Sequence, residues 1–440
     1  MLLLRRARLP VALAPPALAP PRPDPLEPTV LCDIAIQGQV ITEVSMSAGR
    51  AGPTAGNPEG NAVDLAGAVV FPGLVDAHAH LDKAHTWFRA PNRSGTFAEA
   101  LKVLAEDKVN WTREDLRLRA DFALRSAWAH GTRVMRTHVD TGQGWSEPSH
   151  EVMAELRERW RGRIELQTVP LCPVAAEADK HGEALADMAL RHGASALGGF
   201  LPMTAELPRQ LDRLLAVARD RRVGLDLHVD ENGDPRSEVL RAVAEAVLRH
   251  EFPYPVVCGH CCSLAVQAPE RQRETIRLVK EARIGVIALP LCNLYLQDRR
   301  SPPSGTPRWR GITLVHELLD AGVPVACASD NVRDAFYAFG DFDAVEVYVQ
   351  SVRVAHLDSR LGESVRVVTA AAADLVGRPE FGRVTPGAPA HLVVLPAACF
   401  SELLSRPAGP RRCVDGEEIR ALAPPDYREL AAGSGLVPAP

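Results

Sequence analysis

Eight apolar runs, most of them separated by amphipathic segments, constrain the fold of this chain more than any other feature of its sequence. Strands that are apolar along their whole length suit a parallel sheet that is buried on both faces. Eight strand–helix units in about 260 residues are typical of the α/β class and of a (β/α)8 TIM barrel. The predicted strands are Val69–His80, Arg133–Asp140, Ile164–Cys172, Ala196–Met203, Val223–Glu231, Pro255–Cys261, Ile284–Asn293 and Pro324–Asn331.

The clearest helix between two of these runs is predicted over residues 112–131. Thr112 is placed to cap its first turn, and Asp115 takes the third position of the helix. Small and apolar residues between Leu116 and Ala127 supply a packing face. Two further helices are predicted at residues 237–250 and 312–322.

Both ends of the chain predict short strands rather than barrel units. A strand is predicted at Leu2–Leu9, and residues 32–45 alternate about a glycine, as a hairpin does. Toward the other end, the patterns predict a helix at 362–377, a strand at 390–397 and a hairpin at 412–419. We therefore expect the two ends to combine into one small β-sandwich domain. The expected divisions are 1–70, the barrel at 71–380, and 381–440.

Two segments within the first part are rich in turn residues. Residues 48–61 predict a loop, because glycine, proline and asparagine dominate them. Residues 10–28 are rich in proline and predict an insertion between two strands.

The composition argues against several classes of protein. The net charge is −5 and the charges are interspersed without a basic stripe, so we expect no nucleic-acid partner. The nine cysteines are scattered, often inside apolar runs, as reduced thiols of the cytosol are. The start of the chain lacks the order of charges and apolar residues of a secretion signal. No apolar run reaches the ~18 residues that span a bilayer, so we expect a cytoplasmic protein.

Polar side chains fall where the predicted strands end. His78 and His80 close the first strand, and residues i and i+2 of a strand point the same way, so the two imidazoles can share one ion. His228 from the fifth strand and Asp330 from the eighth can join them, because the strand ends of a barrel converge on one face. Three nitrogens and one oxygen suit one Zn²⁺ or Fe²⁺ with a position left open for water.

Each of these signals has a plainer interpretation when it is taken alone. A strand histidine such as His228 or His260 is more often a core residue, and Asp330 alone can cap a helix. Four groups at the ends of strands one, five, six and eight together favour a metal site. His138 and Asp140, which end the second strand, can be either partners of the metal ligands or substrate contacts.

These residues lie in motifs that resemble the amidohydrolase superfamily and, within it, the cytosine deaminase family. The resemblance implies the barrel fold and a single metal ion held by His78, His80, His228 and Asp330. The motifs follow one another in family order and cover most of residues 70–395. They are FPGLVDAHAHLDKAHTW (71–87), SGTFAEAL (94–101), RTHVD (136–140), DLHVDEN (226–232), GHCCSLA (259–265), LPLCNLYLQDR (289–299), WRGIT (309–313) and ASDNVRDAF (328–336).

The resemblance also implies a reaction. In such enzymes a metal-activated water attacks the ring carbon that bears an exocyclic amine, and ammonia is released. Glu231 would carry a proton to the ring nitrogen, and His260 together with Asp330 would take the proton of the water. We therefore expect a metal-dependent aminohydrolase that acts on a cytosine-like nitrogen heterocycle.

Three departures from the family concern the substrate. The family's cytosine enzymes carry a glutamine after the third strand, and residues 170–176 contain none. Asn331 stands where a second aspartate is usual, and Phe336 where a tryptophan is usual. Sites that bind the polar edge of a ring through hydrogen bonds discriminate strongly between substrates. Cytosine is therefore doubtful as the substrate, and isocytosine, a creatinine-like ring or an amino-triazine stays open as an alternative. The candidates for substrate contact are His138, Asn331 and Phe336, with Lys83 and His85 at the rim.

Two other functions stay open at this point. The chain can be a hydrolase of the same fold that cuts a cyclic or linear amide C–N bond, or a non-catalytic metal-binding relative. Glu231 and His260 argue against the second alternative, because a structural metal needs neither. The sequence does not choose between zinc and iron. The resemblance suggests a homo-oligomer, although the sequence carries no interface signature.

Overall fold

The computed structural model describes residues 1–48, 61–142, 145–173, 180–300 and 305–430. The chain divides into two compact units, and the domain boundaries expected near residues 70 and 380 stay a prediction. The first unit contains Met1–Asp76, Ser126–Val134 and Asp343–Pro424, and the second contains Ala77–Arg125, Met135–Phe342 and Pro425–Pro440.

Strands and helices are numbered separately, each in chain order. The strands are β1 (Leu2–Pro10), β2 (Thr29–Gln37), β3 (Val40–Met46), β4 (Asn61–Asp64), β5 (Val70–Pro72), β6 (Leu74–Ala79), β7 (Thr132–Asp140), β8 (Glu165–Pro173), β9 (Ala196–Leu201), β10 (Gly224–Val229), β11 (Val256–His260), β12 (Gly285–Ala288), β13 (Val325–Cys327), β14 (His391–Val394), β15 (Arg412–Asp415) and β16 (Glu418–Arg420). The α-helices are α1 (Phe97–Asp107), α2 (Arg113–Ala129), α3 (Ser146–Trp160), α4 (Lys180–Arg191), α5 (Leu207–Asp220), α6 (Val239–Arg249), α7 (Pro269–Glu281), α8 (Pro290–Leu296), α9 (Val315–Ala321), α10 (Ala344–Val354), α11 (Leu361–Ser364), α12 (Ala370–Leu375) and α13 (Phe400–Ser405).

Strands β6 to β13 form one parallel sheet in the order of the chain. The sheet nearly closes, because a parallel bridge joins Ala79 to Asp330 and the backbone N–H of Asp330 donates to the carbonyl of His78 at 2.9 Å. Gly198 in β9 is required by close packing, since a Cβ there would lie 2.6 Å from the carbonyl oxygen of Asp226. The (β/α)8 barrel predicted from the apolar runs is confirmed.

Two of the eight apolar runs are divided or cut short at an identifiable residue. The first is divided at Gly73 into β5, which joins another sheet, and β6. A Cβ at Gly73 would lie 2.6 Å from Cγ of Arg133, so the chain passes this point only with glycine. The run Ile284–Asn293 yields the short strand β12, because Pro290 opens α8 at the first turn, where its missing N–H is not needed.

The three helices predicted inside the barrel region are confirmed as α2, α6 and α9. The cap of α2 forms as predicted, since Thr112 Oγ1 accepts a hydrogen bond from the backbone N–H of Asp115 at 3.1 Å. The single helix predicted at residues 362–377 is wrong, because α11 and α12 are separated by a 3-10 turn at Val365–Val368. Stiff β-branched side chains disfavour the α-helix there. Among the described residues, no helix is long and apolar enough to cross a membrane.

The two ends of the chain form two four-stranded sheets with the orders β3-β2-β1-β4 and β16-β15-β14-β5. Both predicted hairpins are present, and Gly38 and Gly416 take φ values of 60° at their turns. Side chains from both sheets, such as Ile34 and Leu392, share one buried core. The expected small β-sandwich built from both chain ends is therefore confirmed.

The two turn-rich segments have different outcomes. Residues 10–28 connect β1 and β2 through two 3-10 turns, at Val11–Leu13 and Pro16–Leu18. The loop predicted at residues 48–61 lies outside the described residues, apart from its first and last positions.

Candidate functional site

The barrel brings a cluster of polar side chains to the carboxyl ends of its strands. All of these side chains are buried, with at most 4% of their surface exposed. Buried polar groups are costly unless they are paired, so such a cluster calls for a ligand or a dense network. Its members are His78 and His80 at the end of β6, His228 in β10, His260 in β11, and Asp330 after β13.

Four atoms of this cluster have the spacing of metal ligands. His228 Nε2 lies 3.1 Å from His78 Nε2 and 3.3 Å from His80 Nε2. Asp330 Oδ1 lies 3.6 Å from His78 Nε2 and 3.2 Å from His80 Nε2. Ligand atoms about 2.0–2.1 Å from one tetrahedral ion are about 3.4 Å apart, so the four atoms fit a zinc-type site.

The charge states of these groups also suit a cation. Burial lowers the pKa of His78, His80 and His228 well below the ordinary value, so the imidazoles are neutral and keep a lone pair for a metal. Asp330 supplies one carboxylate against three neutral rings. A divalent ion would compensate this buried charge.

A second group of buried side chains packs against the ring of His78. His138 lies with its ring centre 4.1 Å from that of His78, and its Nε2 is 3.6 Å from Asp226 Oδ1. Arg136 donates to the other oxygen of Asp226 at 2.9 Å. His138 is fully buried in this group, which matches the alternative that it is a partner of the metal ligands. Its role as a substrate contact stays a prediction.

The backbone at these strand ends is strained. The φ values of Asp230, His260, Cys261 and Asp330 are 55°, 68°, 52° and 61°, which is the left-handed region. Such conformations cost of the order of 1–3 kcal/mol each in residues other than glycine, and they concentrate at functional sites. Asp230 is held by hydrogen bonds from the first backbone N–H groups of α6, at 3.0 and 2.8 Å.

Glu231 and His260 lie beside the metal-type cluster. His260 Nδ1 is 3.5 Å from Glu231 Oε1 and 4.0 Å from Asp330 Oδ2. Asn293 donates to the same nitrogen at 3.2 Å, which fixes the ring. Burial, together with the charge of Asp330, raises the pKa of Glu231 well above the ordinary value. Burial lowers the pKa of His260 to about 3. The surroundings therefore favour the protonated form of Glu231 next to a neutral His260.

A cavity of about 610 Å³ opens onto these side chains. Its volume is typical of a site for a small organic ligand. Asn331 and Phe336 lie on its wall, and Asp334 holds both, accepting from Asn331 Nδ2 at 2.7 Å and from the backbone N–H of Phe336 at 2.8 Å. Their prediction as substrate contacts is compatible with this position and stays a prediction.

Several residues of the cavity wall were not singled out from the sequence. Phe97 and Phe200 face each other with ring centres 6.5 Å apart, and Trp145 lies on the same wall. Phe97 belongs to the motif at residues 94–101, which is the signal that could have identified it. Aromatic rings of this kind suit a planar ligand.

The two residues expected at the rim differ in their surroundings. Lys83 lies on the cavity wall but is buried, and its ammonium donates to Asp140 Oδ1 at 2.6 Å. His85 is also buried, and its ring packs edge-on against Phe122 and Phe342. Only 8% of its surface is exposed, so His85 is a packing residue at this position.

Comparison with known proteins places the chain in a family. The sequence profile of the amidohydrolase family matches residues 61–151 and 112–408. A pterin deaminase of Rhizobium rhizogenes (strain K84 / ATCC BAA-868) is 45% identical over 368 residues, which are 83% of this chain and 84% of that protein. The chain belongs to the amidohydrolase family. The resemblance stated from the sequence is confirmed.

More distant relatives agree with this assignment. The N-isopropylammelide isopropyl amidohydrolase of Pseudomonas sp. (strain ADP) is 27% identical over 346 residues, covering 76% of this chain and 81% of the relative. A crystal structure of 5-methylcytosine deaminase from Klebsiella pneumoniae with 5-fluorocytosine superposes with a TM-score of 0.81 at 24% identity. It covers 97% of this chain and 98% of that one, and at this identity it shows the shared fold.

Membership of the family decides the general class of reaction. This amidohydrolase is a hydrolase that acts on C–N bonds, as expected from the sequence. The alternative of a non-catalytic relative is therefore set aside. The family is metal-dependent, and the buried histidine–aspartate cluster supplies the metal-binding group.

Proposed function

We propose that this amidohydrolase is a metal-dependent deaminase that removes the exocyclic amine of a pterin-like ring as ammonia. Hydrolytic deamination of a nitrogen heterocycle, expected from the sequence, is supported by the relative named a pterin deaminase at 45% identity. The pyrimidine half of a pterin is a 2-amino-4-oxo ring, which is isocytosine. The departures from the cytosine enzymes at residues 170–176, Asn331 and Phe336 agree with a change from cytosine to this ring.

The observation that carries the proposal is the spacing of four ligand atoms beside an acid and a base. His78, His80, His228 and Asp330 would hold the ion, and their three nitrogens and one oxygen fit Zn²⁺ or Fe²⁺. When bound, such an ion lowers the pKa of a water molecule toward ~7 and so supplies a nucleophile at neutral pH. Glu231 and His260 would then transfer the protons, Glu231 as the donor to the substrate and His260 as the acceptor from the water.

Glu231 is proposed as the proton donor to the substrate. Its pKa is raised by burial and by the neighbouring charge of Asp330, which favours the protonated form of the carboxyl group. Protonation of the ring nitrogen next to the reacting carbon makes that carbon more electrophilic. Once ionised, the carboxylate can accept a proton that comes from the added water and pass it to the exocyclic amine.

His260 is proposed to accept the proton of the attacking water together with Asp330. Its imidazole is neutral, since burial lowers the pKa to about 3, and Asn293 orients the ring through Nδ1. In the overall reaction, water forms a new C–O bond and the C–N bond to the exocyclic amine breaks. Of the two protons of the water, one balances the proton that Glu231 gives to the ring nitrogen, and the other leaves with ammonia. Every atom is then accounted for.

The substrate ring is proposed to lie in the cavity of about 610 Å³. Phe97, Phe200 and Phe336 supply faces and edges for a flat bicyclic ring, and Asn331 supplies an amide beside them. If His138 does not contact the substrate, it would act by packing against the ring of His78.

If the substrate ring packs on Phe336, alanine substitution of Phe336 would raise KM more than it lowers kcat.

The first experiment combines metal analysis with an ammonia assay. The purified protein, loaded with zinc or with iron, is tested on pterin, isocytosine, cytosine, creatinine, an amino-triazine and a cyclic amide. About one metal ion per chain and ammonia from pterin or isocytosine is the expected result. Opening of the cyclic amide without ammonia from any ring would contradict the deaminase and favour the amide-hydrolase alternative.

A matched pair of variants tests the proton donor. Glu231→Gln should lower kcat by about 10²–10⁴-fold while one metal ion per chain is kept, because the amide cannot supply the proton. Glu245→Gln is the control, since Glu245 is exposed on α6 and pairs with Arg241 on the surface. An E231Q enzyme with full activity would remove Glu231 from the mechanism.

We also propose that the protein works in the cytoplasm. Eight of the nine cysteines are buried, as is usual for reduced thiols in a reducing compartment. Recovery of the protein from a secreted or periplasmic fraction would contradict this. A homo-oligomer stays a prediction, which the mass of the native protein in solution would test.

A further inference from the structure

Lys83 is a buried cation on the wall of the cavity that the proposed mechanism does not use. It follows the metal-ligating pair His78 and His80 by three residues, and only 4% of it is exposed. A buried ammonium is costly unless it is paired. A packing role at this position would be met by an apolar side chain of similar length, so the charge calls for an explanation.

The ammonium of Lys83 is held in place by a network of charges. It donates to Asp140 Oδ1 at 2.6 Å, and Lys108 lies 3.0 Å from Asp140 Oδ2. Asp82 accepts a hydrogen bond from the backbone N–H of Asp140 at 2.7 Å. Burial alone would lower the pKa of Lys83, but Asp140 and Asp82 outweigh it and raise the pKa above its ordinary value. The group therefore remains a cation.

The network leaves hydrogen-bonding capacity on the side of the cavity. An ammonium has three N–H donors, and Asp140 is the acceptor that the described part of the chain offers to Lys83 Nζ. The same nitrogen lies 5.4 Å from the ring centre of Phe336, which places it beside the aromatic wall. Its charge also acts on Glu231, whose pKa it lowers against the effects of burial and Asp330. Lys83 and the proposed proton donor Glu231 lie on the wall of the same cavity.

The ring of a pterin carries an oxo group, and Lys83 is a charged donor on the cavity wall beside Phe336. We propose that Lys83 donates a hydrogen bond to the ring carbonyl of the substrate, with Asp140 as the residue that positions it. This inference rests on the proposed function and adds the residue that selects an oxo-substituted ring. A cation at the carbonyl also stabilises the negative charge that spreads over the ring when water adds.

If Lys83 binds the ring carbonyl, replacing it should change the preference of the enzyme between two rings rather than weaken the binding of both. Pterin serves as the substrate with the oxo group, and 2-aminopteridine, which lacks it, serves as the competitor. Lys83→Met should lower kcat/KM for pterin about 10²-fold and raise its KM, because a buried polar contact is lost. The inhibition constant of 2-aminopteridine should change by less than about threefold, since the lost contact is one that this ring never makes.

Two further variants separate recognition from structure. Lys83→Gln keeps an N–H donor and should recover part of the lost kcat/KM for pterin. Lys102→Met removes a cation that is exposed on α1 and pairs with Glu106, and it should leave the preference between the two rings unchanged. Metal content and the melting temperature are measured for each variant, and K83Q keeps the test decisive if K83M does not fold.

The outcomes distinguish this inference from the proposed function. If K83M weakens pterin and 2-aminopteridine equally, or leaves pterin unaffected, Lys83 does not read the carbonyl although the deaminase stands. If the wild-type enzyme releases ammonia from none of the rings, the proposed function fails and this inference falls with it. A loss that is confined to pterin and partly restored in K83Q supports the assignment.

Discussion

His78 depends on a neighbouring residue that has no side chain. Gly259 in β11 faces the imidazole, and a Cβ there would lie 3.1 Å from Cε1 and 3.2 Å from Nδ1 of His78. Both distances are tighter than ordinary contact, and β11 is buried along its length and paired with β10 and β12 on its two sides. The position of one metal ligand is therefore set by a strand that lies five barrel strands further along the chain.

We predict that Gly259→Ala lowers metal affinity about tenfold or more, because the new methyl group displaces His78. The measurement is metal content per chain after dialysis against graded concentrations of a chelator, with circular dichroism to confirm the fold. Gly362→Ala is the control, since the nearest atom to a Cβ there is at 3.5 Å. Equal metal retention in G259A and wild type would show that the ring can shift without cost.

Single residues also show what a sequence can and cannot reveal. The proposed ligands His78 and His80 follow the two-residue period of a strand, so their shared direction was predictable. The ion pair of Lys83 with Asp140 was not, because 57 residues separate the partners and only the neighbouring positions of β6 and β7 bring them together.

At the scale of elements, α2 shows local signals that agree with the structure. Its N-terminus is fixed by Thr112, whose hydroxyl accepts from the backbone of Asp115, and the carboxylate of Asp115 in turn binds Arg89 and Arg119. The cap thus fixes the start of a helix and also orders a group of charges around it.

We predict that Thr112→Ala lowers the free energy of unfolding by about 1 kcal/mol, because one helix N–H loses its acceptor. Urea unfolding followed by tryptophan fluorescence measures the change. Thr112→Ser keeps the hydroxyl and should behave like wild type. A loss in T112S as large as that in T112A would assign the effect to the methyl group rather than to the cap.

Element boundaries were predictable only where the signal is local. Pro290 marks the start of α8 within the chain itself, so the end of β12 could have been placed from the sequence. The break at Gly73 could not, since it arises because β5 pairs with β14 instead of a barrel strand. Periodicity describes a segment, whereas the sheet that it joins depends on distant partners.

For the molecule as a whole, the metal site ties together the first, middle and last strands of the barrel. An ion that binds only the folded chain stabilises it by mass action, by about 2.7 kcal/mol at a hundredfold excess over Kd. We predict that chelation lowers the melting temperature and that added zinc or iron restores it.

Two variants control this prediction. His80→Gln should abolish the shift caused by the metal, whereas His192→Gln, at a partly exposed pair with Glu147, should keep it. The melting temperature of each protein is measured with and without the metal. An equal shift in H80Q and wild type would mean that the ion binds elsewhere.

The sequence alone determined the barrel and the small sandwich, and it indicated the four residues proposed as metal ligands, because hydrophobic period and strand-end position are local properties of the chain. The tertiary structure decided what local pattern does not contain. It packed His138 against His78 and put Lys83 on the cavity wall. It also set the left-handed backbone conformation of Asp330 and His260. The physical reason is the same in each case: distances, burial and strain are set by partners far apart in the chain, and they exist only once the strands have been brought side by side.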